Sequence, residues 1–186
     1  MGFRFVLAVL LTIVVSVVAT LAGDFTIPED GHFLVDFSSG SPRVEMLSLH
    51  NPNETVAGPH VKPRATPRDL LPVDKTKCYA DRRLNLKDYT RSLRLLQDRC
   101  AEPALIPTLS IWGYKVADAH VYVCNYNDNA ECLPEELNGV MDYLDDHCRS
   151  IVDAGYVHAH HIKKTYGRDL SSHTICRNMF RRPPDV

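Results

Sequence analysis

The run Ala119-His120-Val121-Tyr122-Val123-Cys124 is rich in β-branched and aromatic residues and ends on a cysteine. Residues of these types favour strands, and a run of this composition fits a buried position in a sheet. Leu109-Ser110-Ile111-Trp112 precedes it, and the residues near Val116 to Asp118 are suited to a turn between the two. The two runs are therefore predicted to pair as adjacent strands.

A helix is predicted on the N-terminal side of this strand pair. Asn85, with Asp88, is placed to cap its start. Apolar residues then recur at spacings of three and four, while charged residues occupy the other face. The residues of this apolar stripe are Leu86, Tyr89, Leu93, Leu96 and Cys100.

A second helix is predicted after the strand pair. It begins with Pro134 in its first turn, followed by Glu135 and Glu136 near the positive end of the helix dipole. Ala154-Gly155 marks its end. Its apolar stripe is Leu137, Val140, Met141, Leu144 and Cys148.

The region from about residue 77 to residue 180 reads as one supersecondary unit repeated twice. In the second unit Tyr156 to Ile162 and His173 to Cys176 are predicted to be strands joined across Gly167-Arg168-Asp169. The aromatic-glycine steps Trp112-Gly113 and Tyr166-Gly167 are predicted to lie between the strands of each unit. The predicted fold is α+β with the order α-β-β-α-β-β, pseudo-duplicated. Its four-stranded antiparallel sheet carries both helices on one face, which buries both apolar stripes.

All the cysteines fall in this region, and their even number in an exported chain predicts three disulfides. They are Cys78, Cys100, Cys124, Cys132, Cys148 and Cys176. The sequence alone does not choose among the possible pairings. Our preferred pair is Cys124 with Cys176, the two equivalent strand ends. The other four cysteines are left to join the helices and their entry loops.

Export is predicted from residues 1–22, which contain Arg4, then an apolar run from Phe5, then small residues up to Ala22. This is the layout of a cleaved secretory signal peptide, so we expect a secreted, extracellular protein without a stable membrane span after leader removal. Residues 23–76 are proline-rich and predicted to be a largely extended or disordered tail, as a linker or pro-segment. Residues 31–37 are the exception that could pair as a strand.

Three smaller expectations concern the tail, the C-terminus and the charge. Asn53 is the acceptor of an N-glycosylation pattern, which predicts a glycoprotein. Residues 181–186 are predicted to be disordered. The formal net charge is −2 with no basic stripe, so nucleic acid is not an expected partner. No cofactor is predicted.

No catalytic signature stands out, and the chain is predicted not to be an enzyme. Two alternatives stay open. His158, His160 and His161, with His173 or Asp169, could bind zinc or copper, or they could form the polar outer face of an edge strand. A secreted hydrolase such as a ribonuclease would use His120, His158 or His160 with Arg168.

Aromatic residues offer a further possibility, a platform for a sugar or protein partner, although such residues more often fill cores and sheets. Tyr126 and Trp112, at predicted strand ends, are expected nearest solvent. The residues concerned are Trp112, Tyr114, Tyr122, Tyr126 and Tyr156.

Several motifs resemble those of small secreted cysteine-rich proteins of filamentous fungi. They are Val121-Tyr122-Val123-Cys124-Asn125-Tyr126, Ala154-Gly155-Tyr156-Val157 and Tyr166-Gly167-Arg168. The order α-β-β-α-β-β over residues 77–180 resembles fungal killer toxins and killer-toxin-like effectors. The resemblance implies a non-enzymatic effector-like protein that binds a host protein, cell-wall or membrane target, in virulence or microbial antagonism. The alternative it implies is a toxin acting on membranes or channels.

Overall fold

A computed structural model describes residues 25–49, 73–102 and 105–176 of the chain. Its helices are α1 (Leu86–Cys100) and α2 (Pro134–His147), and a short 3-10 helix covers His160–Ile162. In chain order the strands are β1 (Gly31–Asp36), β2 (Arg43–Leu49), β3 (Lys75–Arg83), β4 (Leu105–Ile106), β5 (Ser110–Val116), β6 (Ala119–Asn125), β7 (Ala130–Glu131), β8 (Asp153–Ala159) and β9 (Lys164–Leu170).

Seven strands form one antiparallel sheet in the order β2-β1-β5-β6-β9-β8-β3, and β4 pairs with β7 in a separate two-stranded sheet. The predicted four-stranded sheet with two helices on one face is therefore wrong. The additional strands of the large sheet are β1, β2 and β3. β1 and β3 pair with strands far along the chain, as in the pairing of Gly31 with Lys115, and β2 joins the sheet only through β1, so local sequence patterns did not reveal their places in the sheet.

The predicted tail of residues 23–76 is wrong for residues 25–49, which supply β1 and β2. β1 confirms the strand expected near residues 31–37, and it lies between β2 and β5 with Phe33 and Val35 fully buried. Residues 50–72 lie outside the described residues. So do Asn53, the predicted leader and residues 181–186.

Both helices are present, but the second ends at His147, and Ala154-Gly155, which were predicted to mark its end, lie within β8. The apolar residues of both helices pack against one surface of the sheet, which we call the helix face. The Asn85 side chain caps α1 by accepting hydrogen bonds from the backbone N–H groups of Lys87 and Asp88. Ser92 is a buried polar residue on the inner side of α1. Its hydroxyl donates to the carbonyl of Tyr114 at 2.6 Å and accepts from the N–H of Val121 at 3.1 Å, which ties the helix to the β5–β6 hairpin.

The second predicted strand pair is wrong in its boundaries. Gly167, Arg168 and Asp169 lie within β9 and not in a turn, and His173 to Cys176 follow β9 without forming a strand. The chain turns earlier, at the 3-10 helix, where Lys163 adopts a left-handed conformation with φ 51°. The predicted duplication fails with these boundaries, because Cys124 lies in β6 whereas Cys176 lies beyond the last strand.

Three disulfides join Cys78 to Cys148, Cys100 to Cys132, and Cys124 to Cys176. The last pair confirms our preferred connection, and the other two tie α2 to β3 and the end of α1 to the loop before α2. Three disulfides fit an extracellular protein, because such bonds form and persist in oxidising compartments. Within the described ranges, no helix is long and apolar enough to cross a membrane.

Candidate functional site

The surface of the sheet opposite the helices, here called the tyrosine face, carries a row of side chains that crosses all seven strands. Antiparallel pairing places one residue from each strand in this row, and aromatic residues alternate with glycines along its centre. From β2 to β3 the row reads Met46, Phe33, Gly113, Tyr122, Gly167, Tyr156 and Lys77.

Each glycine of the row leaves space for a neighbouring ring. A Cβ atom on Gly113 would lie 2.5 Å from the Phe33 ring, and a Cβ atom on Gly167 would lie 2.3 Å from the Tyr122 hydroxyl. The two aromatic-glycine steps predicted to separate strands therefore lie within strands. The glycines are needed for the aromatic rings that lie over them and not for turns.

A small cleft opens toward the β3 side of this row, and we call it the tyrosine cleft. Its volume is ≈ 40 Å³. Its walls come from β3, β6, β8 and β9, and from the segment after β9 that the Cys124–Cys176 disulfide holds against the sheet. The lining residues are Tyr79, Tyr122, Tyr156, Thr165, Asp169, Thr174, Ile175 and Cys176.

Asp169 is the charged residue of the cleft lining. Arg82 donates a hydrogen bond to its carboxylate at 2.9 Å, and the backbone N–H of Leu170 donates another at 2.8 Å. Burial raises the pKa of Asp169, while the Leu170 hydrogen bond and the Arg82 charge act in the opposite direction. The Asp169 carboxylate is therefore a hydrogen-bond acceptor in a largely enclosed position.

Tyr79 connects the cleft to the cationic side chains of β3. The Lys77 ammonium lies 4.7 Å and the Arg82 guanidinium 4.0 Å from the centroid of the Tyr79 ring. The ring of Tyr156 lies 6.3 Å from that of Tyr79. Burial raises the pKa of Tyr79, and it raises that of Tyr122 well above its ordinary value. Both phenols are therefore neutral hydrogen-bonding groups at physiological pH.

The residues predicted for a ribonuclease do not come together. His120 is buried on the tyrosine face, and its two ring nitrogens have no hydrogen-bond partner. Arg168 is buried on the helix face, where it contacts Asp145 and donates to the Tyr89 hydroxyl at 2.8 Å and to the Asp153 carbonyl at 2.9 Å. The sheet therefore separates the predicted base from the predicted cation.

The predicted histidine cluster is also dispersed. His158 lies on β8 and its Nδ1 is 2.8 Å from the Thr165 hydroxyl, whereas His160 and His161 lie in the 3-10 helix beyond the strand. The rings of His158 and His160 are 6.0 Å apart. No three His, Cys, Asp or Glu side chains among residues 25–49, 73–102 and 105–176 are placed to hold a metal ion.

The predicted aromatic platform is divided between the two faces of the sheet. Trp112 and Tyr114 belong to the helix-face core, so the expectation that Trp112 lies near solvent is wrong. Tyr122 and Tyr156 line the cleft, while Tyr126 is partly exposed beside His158. Tyr79 is not among the predicted site residues, although its position between Lys77 and Arg82 indicated an aromatic residue on a polar edge strand.

Comparison with known protein families, with curated proteins and with solved structures finds no match to this chain.

Proposed function

We propose that this is a secreted, non-catalytic protein that binds a host or cell-surface target through the tyrosine cleft. The sequence motifs that resemble those of small secreted fungal proteins, without the element order that the structure corrects, suggest virulence or microbial antagonism as the setting. The observation that carries the proposal is the cleft itself, in which partly exposed Tyr79 and Tyr156 flank a hydrogen-bonded Asp169. Tyrosine is enriched at binding surfaces because its ring is apolar and its hydroxyl is polar.

The way in which the cleft is held in place supports a binding role. Four strands of the large sheet, β3, β6, β8 and β9, line it, and its remaining side is the segment from Thr174 to Cys176. A disulfide fixes this segment to the central strand β6. A site on rigid elements loses little conformational freedom when a ligand binds. The separation of His120 from Arg168 across the sheet also favours binding over the hydrolysis considered above.

The test is a cell-binding assay with the fluorescently labelled full chain, applied to plant cells and to yeast cells. Tyr156→Ala removes a ring from the cleft, and it is expected to reduce binding about tenfold, or about 1.4 kcal/mol, a loss that only a minority of truncations at an interface produce. Tyr143→Ala is the matched control, because Tyr143 lies on α2 against His147, away from the cleft. Equal binding by the two variants, with disulfides intact, would reject the cleft as the binding site.

A further inference from the structure

We propose that the tyrosine cleft binds a neutral saccharide. One face of a sugar ring would pack on Tyr156, and a hydroxymethyl or acetamido arm of the same sugar would enter the cleft beside Asp169 and Thr174. This inference rests on the proposed function, since it names the class of ligand that the cleft would take.

The size of the cleft sets the first limit on the ligand. Its volume of ≈ 40 Å³ is that of a few water molecules, at roughly 10–15 Å³ each. A whole pyranose ring does not fit inside, but a short arm of two to four heavy atoms does. The rest of the ligand must therefore lie on the residues at the entrance, of which Tyr79 and Tyr156 are only partly buried.

The charges around the cleft set the second limit. The Asp169 carboxylate is already paired with Arg82 at 2.9 Å, and Lys77 and Arg82 lie over the Tyr79 ring, so neither an anionic nor a cationic group finds an unpaired opposite charge in the cleft. Groups that both donate and accept hydrogen bonds suit such a mixed lining, and hydroxyl and amide groups have this property. Thr165 and Thr174 add hydroxyls of the same kind.

The aromatic rings set the third limit. The C–H groups on one face of a pyranose ring are apolar and carry partial positive charge, so they pack on the electron-rich face of an aromatic ring. Of the two partly buried tyrosines, Tyr79 has cations over its ring, which leaves Tyr156 as the platform. A ligand with an apolar ring face, hydroxyls and a short polar arm is a sugar.

A peptide is the other ligand that offers amide groups. Extended peptides are usually bound by pairing with a free strand edge. The cleft instead lies on the face of the sheet, where β9 is paired on both sides, with β6 and with β8. Side chains therefore supply most of its polar groups, which favours a sugar over an extended peptide.

The experiment is calorimetric titration of the full disulfide-bonded chain with four soluble probes. Three are neutral oligosaccharides, of N-acetylglucosamine, of β-linked glucose and of mannose, and the fourth is anionic oligogalacturonate. We expect at least one neutral oligosaccharide to bind and oligogalacturonate to bind at least tenfold more weakly. Binding of none of the neutral probes, or preferential binding of oligogalacturonate, would overturn the inference.

Variants then locate the bound sugar. Tyr156→Ala is expected to weaken binding about tenfold, the effect of losing one stacking platform. Tyr156→Phe keeps the ring and is expected to stay within about threefold of the parent, since stacking and not the hydroxyl is the main contact. Tyr143→Ala is expected to bind as the parent does. Equal affinities of the two alanine variants would overturn the assignment to the cleft.

The two proposals fail in distinguishable ways. If cell binding depends on Tyr156 but neither free oligosaccharide nor enzymatic deglycosylation of the cells reduces it, the target is a protein and only the saccharide inference falls. If cell binding is the same in Tyr156→Ala and Tyr143→Ala, the proposed function falls as well.

Discussion

Gly167 lies beneath Tyr122 in the aromatic row, where a side chain has no space. A Cβ atom there would lie 2.3 Å from the Tyr122 hydroxyl and 2.9 Å from the backbone carbonyl of Gly155. Tyr122 is itself buried, so its ring cannot move into solvent without loss of packing. We expect Gly167→Ala to lower the free energy of unfolding by about 1–3 kcal/mol, the usual cost of overpacking. Urea unfolding with the disulfides intact measures this change.

The cause of that loss can be tested by making the same substitution in a Tyr122→Leu background. Leucine lacks the hydroxyl and the far part of the ring, so Gly167→Ala should cost less there than in the parent chain. A double-mutant cycle compares the two costs. Equal costs in both backgrounds would show that the Tyr122 ring is not what requires glycine at this position.

At the scale of elements, the β1–β2 hairpin is held against the rest of the sheet without any disulfide. β1 pairs with β2 on one side and with β5 on the other. The side chains of Phe33 and Val35 are fully excluded from solvent. Every cysteine of the chain lies at or beyond Cys78, so no disulfide involves this hairpin.

This arrangement predicts the fate of the hairpin after a cut in residues 50–72. With a specific protease site inserted there and cleaved, the hairpin should co-elute with the remainder in native gel filtration, because strand pairing and buried side chains hold it. In denaturant without reductant the two pieces should separate. Phe33→Ala, which removes a fully buried ring at a cost of about 3–5 kcal/mol, should release the hairpin after the cut even in native buffer. Loss of the hairpin on cleavage in native buffer from the protein that retains Phe33 would contradict this prediction.

The elements that could be predicted from the sequence are those with a local signal. The spacing of apolar residues predicted α1 and α2, and the β-branched run predicted β6. β1 has a suitable sequence, but its inclusion in the sheet depends on β5, about eighty residues later, a separation that local patterns do not encode. β9 was mistaken for a turn because Gly167 resembles a turn residue unless the position of Tyr122 is known.

The candidate site was only partly predictable for the same reason. Tyr122 and Tyr156 are two of the five aromatic residues considered for a binding platform, and they line one cleft, whereas Trp112, expected near solvent, is buried on the other face. Tyr79 and Thr165 reach that cleft only through the register of β3 and β9 with their neighbours. Register in an antiparallel sheet decides which face each side chain occupies, so residues of similar type divide between two unrelated surfaces.

At the scale of the whole molecule, two buried histidines lie on opposite faces of the sheet. One belongs to β1, and the other lies beside a side chain of β1. His32 belongs to β1 and lies on the helix face, with its ring 4.4 Å from that of Trp112. His120 lies on the tyrosine face, 6.4 Å from the ring of Phe33. Burial lowers the pKa of His32 to about 4, with a contribution from Arg99, and burial lowers that of His120 to about 3, with contributions from Lys115 and His173.

These lowered pKa values predict acid sensitivity of the fold. Below a pH of about 6.5 the unfolded chain takes up protons on both histidines while the folded chain does not, so stability falls as the pH falls toward about 4. Each histidine should lower the free energy of unfolding by about 2–3 kcal/mol when the pH falls from 7 to 4.5. Asp169 acts in the opposite direction because its pKa is raised in the folded state, so the fold favours its protonated form at low pH.

The variant that isolates one histidine is His120→Leu, which places an apolar side chain of similar volume where the imidazole nitrogens have no hydrogen-bond partner. Any change in packing alters stability equally at both pH values, so the useful quantity is the difference between unfolding free energies at pH 7 and pH 4.5. That difference should shrink by about 2–3 kcal/mol relative to the parent chain. An unchanged difference would mean that His120 takes up a proton in the folded protein. The sheet would then have to admit water or an acid between Phe33 and Tyr122, where both ring nitrogens of His120 have no partner.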